Sequence, residues 1–238
     1  MTNTLLQLQN LTKEYLVQGE KHTVLDNLNL TLNTEQITVI LGQSGCGKTT
    51  LLRLIIGLEQ PTEGDILLDK EIKPGLMFQE ARLMPWLNCY DNIALGMPAP
   101  VDKEYITELL QMTGLTSFAH AYPHQLSGGM QQRVALARTL ATRSKLILMD
   151  EPFAALDYFT RMQMQQELLK LHRLTHTGII LVTHNIEEAL ILADTILVLQ
   201  KGKISLELKL PEDEERDILL EPYISYKKQL LGALSIRS

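Results

Sequence analysis

Two kinds of hydrophobic pattern alternate along the chain. Leu6-Gln7-Leu8-Gln9-Asn10-Leu11 and Leu28-Asn29-Leu30-Thr31-Leu32 interleave apolar and polar residues, the period-two signature of strands buried on one face. They predict a small antiparallel sheet. Gln36 to Leu41, Lys145 to Met149 and Gly178 to Thr183 are instead nearly unbroken aliphatic and β-branched runs, the pattern of buried strands. Gly64 to Leu68 and Leu76 to Phe78 add two short strands, and Thr195 to Leu199 turns through Lys201-Gly202 into a hairpin with Ile204 to Leu210.

Helical periodicity fills the intervals. Thr50 to Ile56 reads as a helix closed by Gly57. From about Asn92 to Leu140 the pattern is helical, with Asp102 placed to cap Lys103 to Met112, whose Ile106, Leu109 and Leu110 form an apolar stripe that stops at Gly114. Tyr158 to His176 predicts a long helix with Leu168, Leu169, Leu171 and Leu174 inward. Asn185 is placed to cap another, with Glu188 completing a capping box. An acidic stretch, Glu212-Asp213-Glu214-Glu215, is expected to be a solvated turn, and a last helix follows Pro222.

This order predicts an α/β fold: a mixed, mainly parallel sheet, an N-terminal antiparallel β-subdomain and an inserted α-helical subdomain. The expected boundaries within a single domain are 1–87 and 141–210 for the core with its β-subdomain, 88–140 for the helical insertion and 211–238 for a C-terminal helical tail.

Composition narrows the function. With 238 residues, 45% of them hydrophobic, the chain can bury a sizeable core. No apolar run approaches the roughly 18 residues of a membrane span; the richest, Ala189 to Leu199, is broken by Asp194. There is no signal pattern at the N-terminus, and the two cysteines, Cys46 and Cys89, are far apart in sequence, so a reducing, cytoplasmic setting is expected. A net charge of −6 with no basic cluster beyond a pair such as Lys227-Lys228 argues against a nucleic-acid partner.

The chemistry is concentrated in short motifs. Gly42-Gln43-Ser44-Gly45-Cys46-Gly47-Lys48-Thr49-Thr50 has the spacing G-x-x-x-x-G-K-[ST] and joins a predicted strand to a predicted helix, the context that a phosphate-binding loop requires. Its glycines let backbone N–H groups turn toward an anion at the positive end of the helix, Lys48 adds a charge between β- and γ-phosphates, and Thr49 offers a hydroxyl to Mg2+. ATP and Mg2+ are the expected ligands. Asp150-Glu151 end a buried strand, as in the second half of such a site, where the first acid serves the Mg2+ shell and the second orients water. Tyr15 is either a base-stacking aromatic or an ordinary strand-end tyrosine. Gln79 and His184 fall at strand ends, where ligands converge in parallel sheets; Gln79 suits Mg2+ or the attacking water, and both also have ordinary structural readings. Leu83, Met84, Trp86 and Leu87 surround Pro85 in a loop that is either folded back on its own domain or offered to a partner.

Leu126-Ser127-Gly128-Gly129-Met130-Gln131-Gln132-Arg133 builds a second anion site, since Ser127 caps a helix whose first residues, Gly128 and Gly129, leave their N–H groups bare. The phosphate loop already serves the β-phosphate. A second clamp makes most sense on the nucleotide of another copy, which predicts a head-to-tail homodimer sandwiching two ATP molecules.

With these residues the chain resembles the ATP-binding subunit of ABC transporters, from its first strand to about Lys203. It is similar at the Walker A loop (Gly42 to Thr50), the Q-loop (Gln79), the signature (Leu126 to Met130), Walker B (Leu146 to Asp150, then Glu151), the D-loop (Ala154 to Asp157) and the switch histidine (His184), all in the family's order. The departures are mild: Met130 and Gln131 stand where many members have Gln, and Ala154 and Ala155 where many have Ser-Ala or Gly-Ala. The resemblance implies a P-loop NTPase core, adenine stacking on Tyr15, Mg2+ ligation by Thr49, Gln79 and Asp150, and a general base in Glu151. It further implies catalytic parts for Lys48, Gln79 and His184, and communication across the dimer by Asp157. Leu83 to Asn88, taken with Glu151 to Arg161, is similar to the nitrate, sulfonate and taurine importer subfamily, whose relatives also carry bicarbonate or vitamin precursors. That implies two membrane permease subunits, an indirectly engaged substrate-binding protein, and a peripheral place on the cytoplasmic face of the membrane. The tail departs from the arginine-containing end of sulfonate importers. The alternatives are a soluble ABC ATPase acting on DNA or ribosomes, whose relatives insert coiled coils or carry two cassettes, and a phosphate-loop small-molecule kinase, which leaves the Ser127 motif without a role.

Overall fold

The computed structural model describes residues 5–211 and 216–235, so the expected acidic turn at Glu212 to Glu215 lies outside the described residues. Along the chain run β1 (Leu5–Val17), β2 (Glu20–Asn33), β3 (Ile37–Leu41), α1 (Lys48–Ile55), β4 (Glu63–Leu67), β5 (Gly75–Met77), α2 (Cys89–Ala94), α3 (Lys103–Met112), α4 (Gly128–Ala141), β6 (Leu146–Asp150), α5 (Tyr158–Thr175), β7 (Gly178–Thr183), α6 (Ile186–Leu192), β8 (Thr195–Gln200), β9 (Lys203–Lys209) and α7 (Tyr223–Ser235). They divide into two units, Met1–Ile72 with Gly178–Ser238, and Lys73–Thr177. No helix among the described residues is long and apolar enough to cross a membrane.

In the first unit β1 pairs antiparallel with β2 on one side and β4 on the other. The alternating leucines Leu6, Leu8, Leu28 and Leu32 are buried, as the period of two requires. The hairpin is longer than its alternating stretches, because beyond them it is held by backbone pairing around Gln18-Gly19. Both turn residues have positive φ, 53° and 88°, the twist that suits a two-residue hairpin turn, while Leu16 and Val17 beside them stay exposed. The wholly buried β3 lies between β7 and β8 and parallel to both, and β9 closes that edge antiparallel to β8.

Helix α6 departs from the expected capping box. Asn185 Oδ1 accepts the N–H groups of Glu187 and Glu188 at 2.9 and 3.4 Å, as predicted for a cap. The N–H of Asn185, however, donates to the hydroxyl of Thr183 at 3.0 Å, and that hydroxyl donates to the buried Glu188 carboxylate at 2.7 Å. A hydroxyl from the preceding strand thus relays the contact that Glu188 was expected to make directly.

In the second unit β5 and β6 pair in parallel, and α4 packs against α2 and α3. Residues 88–140, the predicted insertion, contain α2, α3 and all of α4 but its last residue, Ala141, and share this unit with β5, β6 and α5. Asp102 caps α3 through the Tyr105 N–H at 3.0 Å, and Ile106, Leu109 and Leu110 are buried as their spacing predicts. On α5 the buried residues are Met164, Gln165 and Leu168, whereas Leu174 is 74% exposed, against expectation. Six residues past Leu168 a helix has turned about 240° beyond a full rotation, which takes Leu174 off the buried face.

Candidate functional site

The first unit carries the phosphate loop. Because Leu41 lies opposite Thr183 in the parallel pair, the loop after β3 and His184 after β7 leave the sheet at the same end, and the Gly42 N–H donates to the Thr183 carbonyl at 3.3 Å. Two glycines are obligatory. A Cβ at Gly42 would lie 2.5 Å from the Leu199 carbonyl oxygen, and Gly47, at φ 105°, would bring one 2.8 Å from the Leu25 side chain. Helix α1 starts at Lys48, earlier than expected, with Gly47 at its N-cap and therefore no side chain to satisfy its first N–H groups. Those donors are what an anion would receive.

Lys48 is 6% exposed, and its ammonium donates to the carbonyls of Gly42 at 2.8 Å and Gln43 at 2.9 Å. Those two bonds fix the charge inside the loop, and the ammonium also lies 4.0 Å from the Cys46 sulfur, a weak acceptor that an anion would displace. Thr49 and Thr50 are half-buried in the first turn of α1, while Ser44 and Gly45 face solvent. Burial pushes the half-buried Cys46 thiol up, with Lys48 opposing, so it stays protonated near neutral pH. Gln43 Nε2 donates to the Leu234 carbonyl of α7 at 3.3 Å. Tyr15 is not a strand-end residue: β1 continues to Val17, and Tyr15 stands opposite His22 with its hydroxyl bonded to Glu59.

The second unit carries the carboxylates. In the β5–β6 pair Met77 is opposite Met149, so Gln79 and Glu151, each two residues further on, emerge side by side. Gln79 Nε2 lies 3.5 Å from Glu151 Oε2, a long contact that leaves the amide oxygen for a metal or water. Asp150 is buried at the end of β6, and Glu151 has φ 48°, a left-handed conformation that costs energy in a non-glycine residue and recurs at functional sites. Ser127 caps α4 by accepting the Met130 N–H at 3.2 Å, as predicted. A Cβ at Gly128 would meet nothing within 4 Å, so packing within this chain does not demand glycine there. Asp157 caps α5 through the Thr160 N–H at 3.1 Å, and the Thr160 hydroxyl, then that N–H, hold its exposed carboxyl below the usual range.

Three residues of this unit escaped the sequence reading. Gln132 of α4 donates to the Gln79 carbonyl at 3.3 Å, and Arg138, one helical face further on, donates to the carbonyls of Ala81 and Arg82 at 2.8 and 2.9 Å. The signature helix therefore holds the segment that starts at Gln79. Asn92, 0% exposed, accepts the Met84 N–H at 2.8 Å and directs its amide nitrogen at the carbonyls of Met84, Leu87 and Asn88 at 3.2, 2.9 and 3.0 Å. The apolar loop is thus folded onto its own unit through its backbone and still presents Trp86, 70% exposed. A polar residue between the buried Cys89 and Ile93 was the available signal. Asn92→Leu, of similar volume, should lower stability by about 2 kcal/mol or more, because buried loop carbonyls and an N–H lose their partners. Thermal denaturation checks this, and an unchanged Tm would mean that other contacts shape the loop.

A cavity of about 490 Å³ opens beside α3 and α5, lined by Tyr105, Met112, Glu167, Leu171 and Leu174 among others, and no motif residue reaches it. Among the described residues no three His, Cys, Asp or Glu side chains converge as a metal cluster. Thr49, Gln79 and Asp150 each carry an oxygen, the hard donor type that Mg2+ takes.

A family model described as ABC transporter matches residues 25–154, more than half of the chain. The chain belongs to the ABC transporter family. An uncharacterized ABC transporter ATP-binding protein of Methanocaldococcus jannaschii is 43% identical, the match covering 96% of this chain and 91% of the relative. An aliphatic sulfonates import ATP-binding protein of Pseudomonas syringae pv. tomato is 44% identical over 82% of this chain and 85% of its own. Among solved structures, a dimeric ATP-binding cassette in a post-hydrolysis state bound to ADP and Pi superimposes with a TM-score of 0.80 at 34% identity, covering 87% of this chain and 100% of that one. The fold is accordingly the P-loop NTPase fold of ABC cassettes, and this cassette is an ATPase, the ATP-binding subunit of an import system.

Proposed function

We propose that the cassette couples MgATP hydrolysis to uptake of a small solute, anionic or a vitamin precursor, by closing head-to-tail on a second copy with two ATP molecules between them. It works at the cytoplasmic face of the membrane, on two permease subunits supplied by a substrate-binding protein, and it has no nucleic-acid role. The observation that carries the dimer is Gly128: a capped helix end offers bare N–H groups, and nothing in its own chain calls for glycine there. Likeness to a dimeric cassette and to an aliphatic sulfonate import protein supports the same reading.

In this function Lys48 and the loop N–H groups of Gly42 to Thr50 hold the phosphates of one ATP, and Tyr15 stacks on its base. Ser127, Gly128 and Gly129 clamp the γ-phosphate of the ATP held by the partner copy. Thr49, Gln79 and Asp150 serve as the protein ligands of Mg2+, which when bound draws charge off the transferring phosphoryl group. Glu151 accepts the proton of the attacking water, His184 takes a catalytic part as the switch histidine, and Asp157 links the two copies.

The exposed Trp86 and the half-buried Met84 supply the grip for an amphipathic helix of the permease, since aromatic and thioether side chains dominate such contacts. Replacing both by alanine should abolish uptake by the reconstituted transporter while the isolated subunit keeps most of its basal ATP hydrolysis. Both rates are measured on one preparation, and normal uptake would show that the permease docks elsewhere.

A further inference from the structure

Glu59 follows α1 in sequence and belongs to none of the motifs. Its N–H and that of Leu58 both donate to the Arg53 carbonyl, at 3.3 and 2.9 Å, which hangs the segment on the end of α1. From there the carboxylate gathers three partners, one from α1 and two from β1: Arg53 at 3.4 Å, the Tyr15 hydroxyl, and Lys13 at 3.6 Å. Lys13 and Tyr15, two apart in β1, project from the same face of the strand. The Lys13 ammonium lies 5.0 Å from the Tyr15 ring centroid and also donates to the Gln60 carbonyl at 2.7 Å. One face of the ring is therefore taken by a cation, and its hydroxyl is tied to Glu59, which hangs on the end of α1.

We propose that Glu59 is a positioning residue for nucleotide binding, holding the Tyr15 ring as a one-faced platform for the base at a set distance from the phosphate loop. This rests on the base-stacking role given to Tyr15 above. A tyrosine on an exposed hairpin has rotational freedom that a base would have to freeze; the tether removes that freedom before binding. The protonation states suit the task. The hydrogen bond from Tyr15, then Arg53 and Lys13, hold the Glu59 carboxyl below its usual range against the effect of burial, while burial and then Glu59 push the Tyr15 hydroxyl up, so the hydroxyl remains a donor and the carboxylate an acceptor near neutral pH.

The test is calorimetric titration of the full-length protein with MgATP and, separately, with inorganic tripolyphosphate and Mg2+, a ligand without a base. Tyr15→Ala should weaken MgATP binding about 5- to 150-fold, the range for losing one base–aromatic stack. Tyr15→Phe, which keeps the ring, and Glu59→Ala should each weaken MgATP about 3- to 10-fold, and the double variant should be no worse than either, as residues acting through one contact are not additive. Tripolyphosphate binding should stay within about twofold in all of them, and in ATP turnover the change should fall on KM rather than kcat. Glu59→Gln, which keeps an acceptor oxygen, should recover part of the loss and guards against misfolding of the alanine variant. Equal weakening of ATP and tripolyphosphate in Glu59→Ala would reduce Glu59 to a structural pin and overturn the inference. So would wild-type ATP affinity in both Tyr15→Phe and Glu59→Ala while Tyr15→Ala is impaired. Wild-type affinity in Tyr15→Ala itself would instead remove the stacking role of Tyr15, and the inference with it.

Discussion

Glu151→Gln should bind MgATP with near wild-type affinity and hydrolyse it about 100- to 10,000-fold more slowly, the span associated with loss of a general base. An amide cannot take the proton of an attacking water, but it keeps the shape of the carboxylate and an oxygen that can still face Gln79 Nε2, now 3.5 Å away. The side chain is set at the edge of the parallel β5–β6 pair by a left-handed backbone, so the substitution changes chemistry without asking the chain to move. If ATP closes two copies head to tail, hydrolysis is what reopens them. The variant should then run as a dimer in size exclusion with MgATP and as a monomer without it. Phosphate release within about tenfold of wild type would remove Glu151 from the role of base, since general-base catalysis is worth more than that.

Lys48→Ala should lose nearly all hydrolysis and weaken MgATP binding about 10- to 150-fold, the equivalent of a charge-assisted contact worth about 1.5–3 kcal/mol, with a larger loss in the transition state where charge builds on the phosphoryl oxygens. The structure adds a second consequence. The ammonium also donates to the Gly42 and Gln43 carbonyls, so its removal loosens the loop as well as discharging it. The core strands do not depend on it, and circular dichroism should show the fold retained. A folded variant with wild-type turnover would contradict the assignment of Gly42 to Thr50 as the phosphate site.

What the sequence by itself determined is the chemistry that is contiguous or strictly periodic. The loop from Gly42 to Thr50 was legible as a strand-to-helix connection because its glycines, lysine and threonines are consecutive. The caps at Asp102, Ser127 and Asn185 were legible because a capping side chain reaches only two or three residues along its own helix. The buried strands were legible because burial on one or both faces imposes its own pattern on five or six residues. Tertiary structure alone decided which polar side chains meet across the chain. The register of Met77 against Met149 is what sets Gln79 beside Glu151, and the hydroxyl that relays the α6 cap comes from the preceding strand. The fork of Arg138 on Ala81 and Arg82, the four bonds of Asn92, and the grip of Glu59 on Tyr15 across 44 positions leave no periodic trace. Leu174, inward by composition and outward in fact, shows the same limit. A hydrogen bond between distant residues is settled by packing and strand register, and local hydrophobic pattern carries information only about the face on which a residue lies.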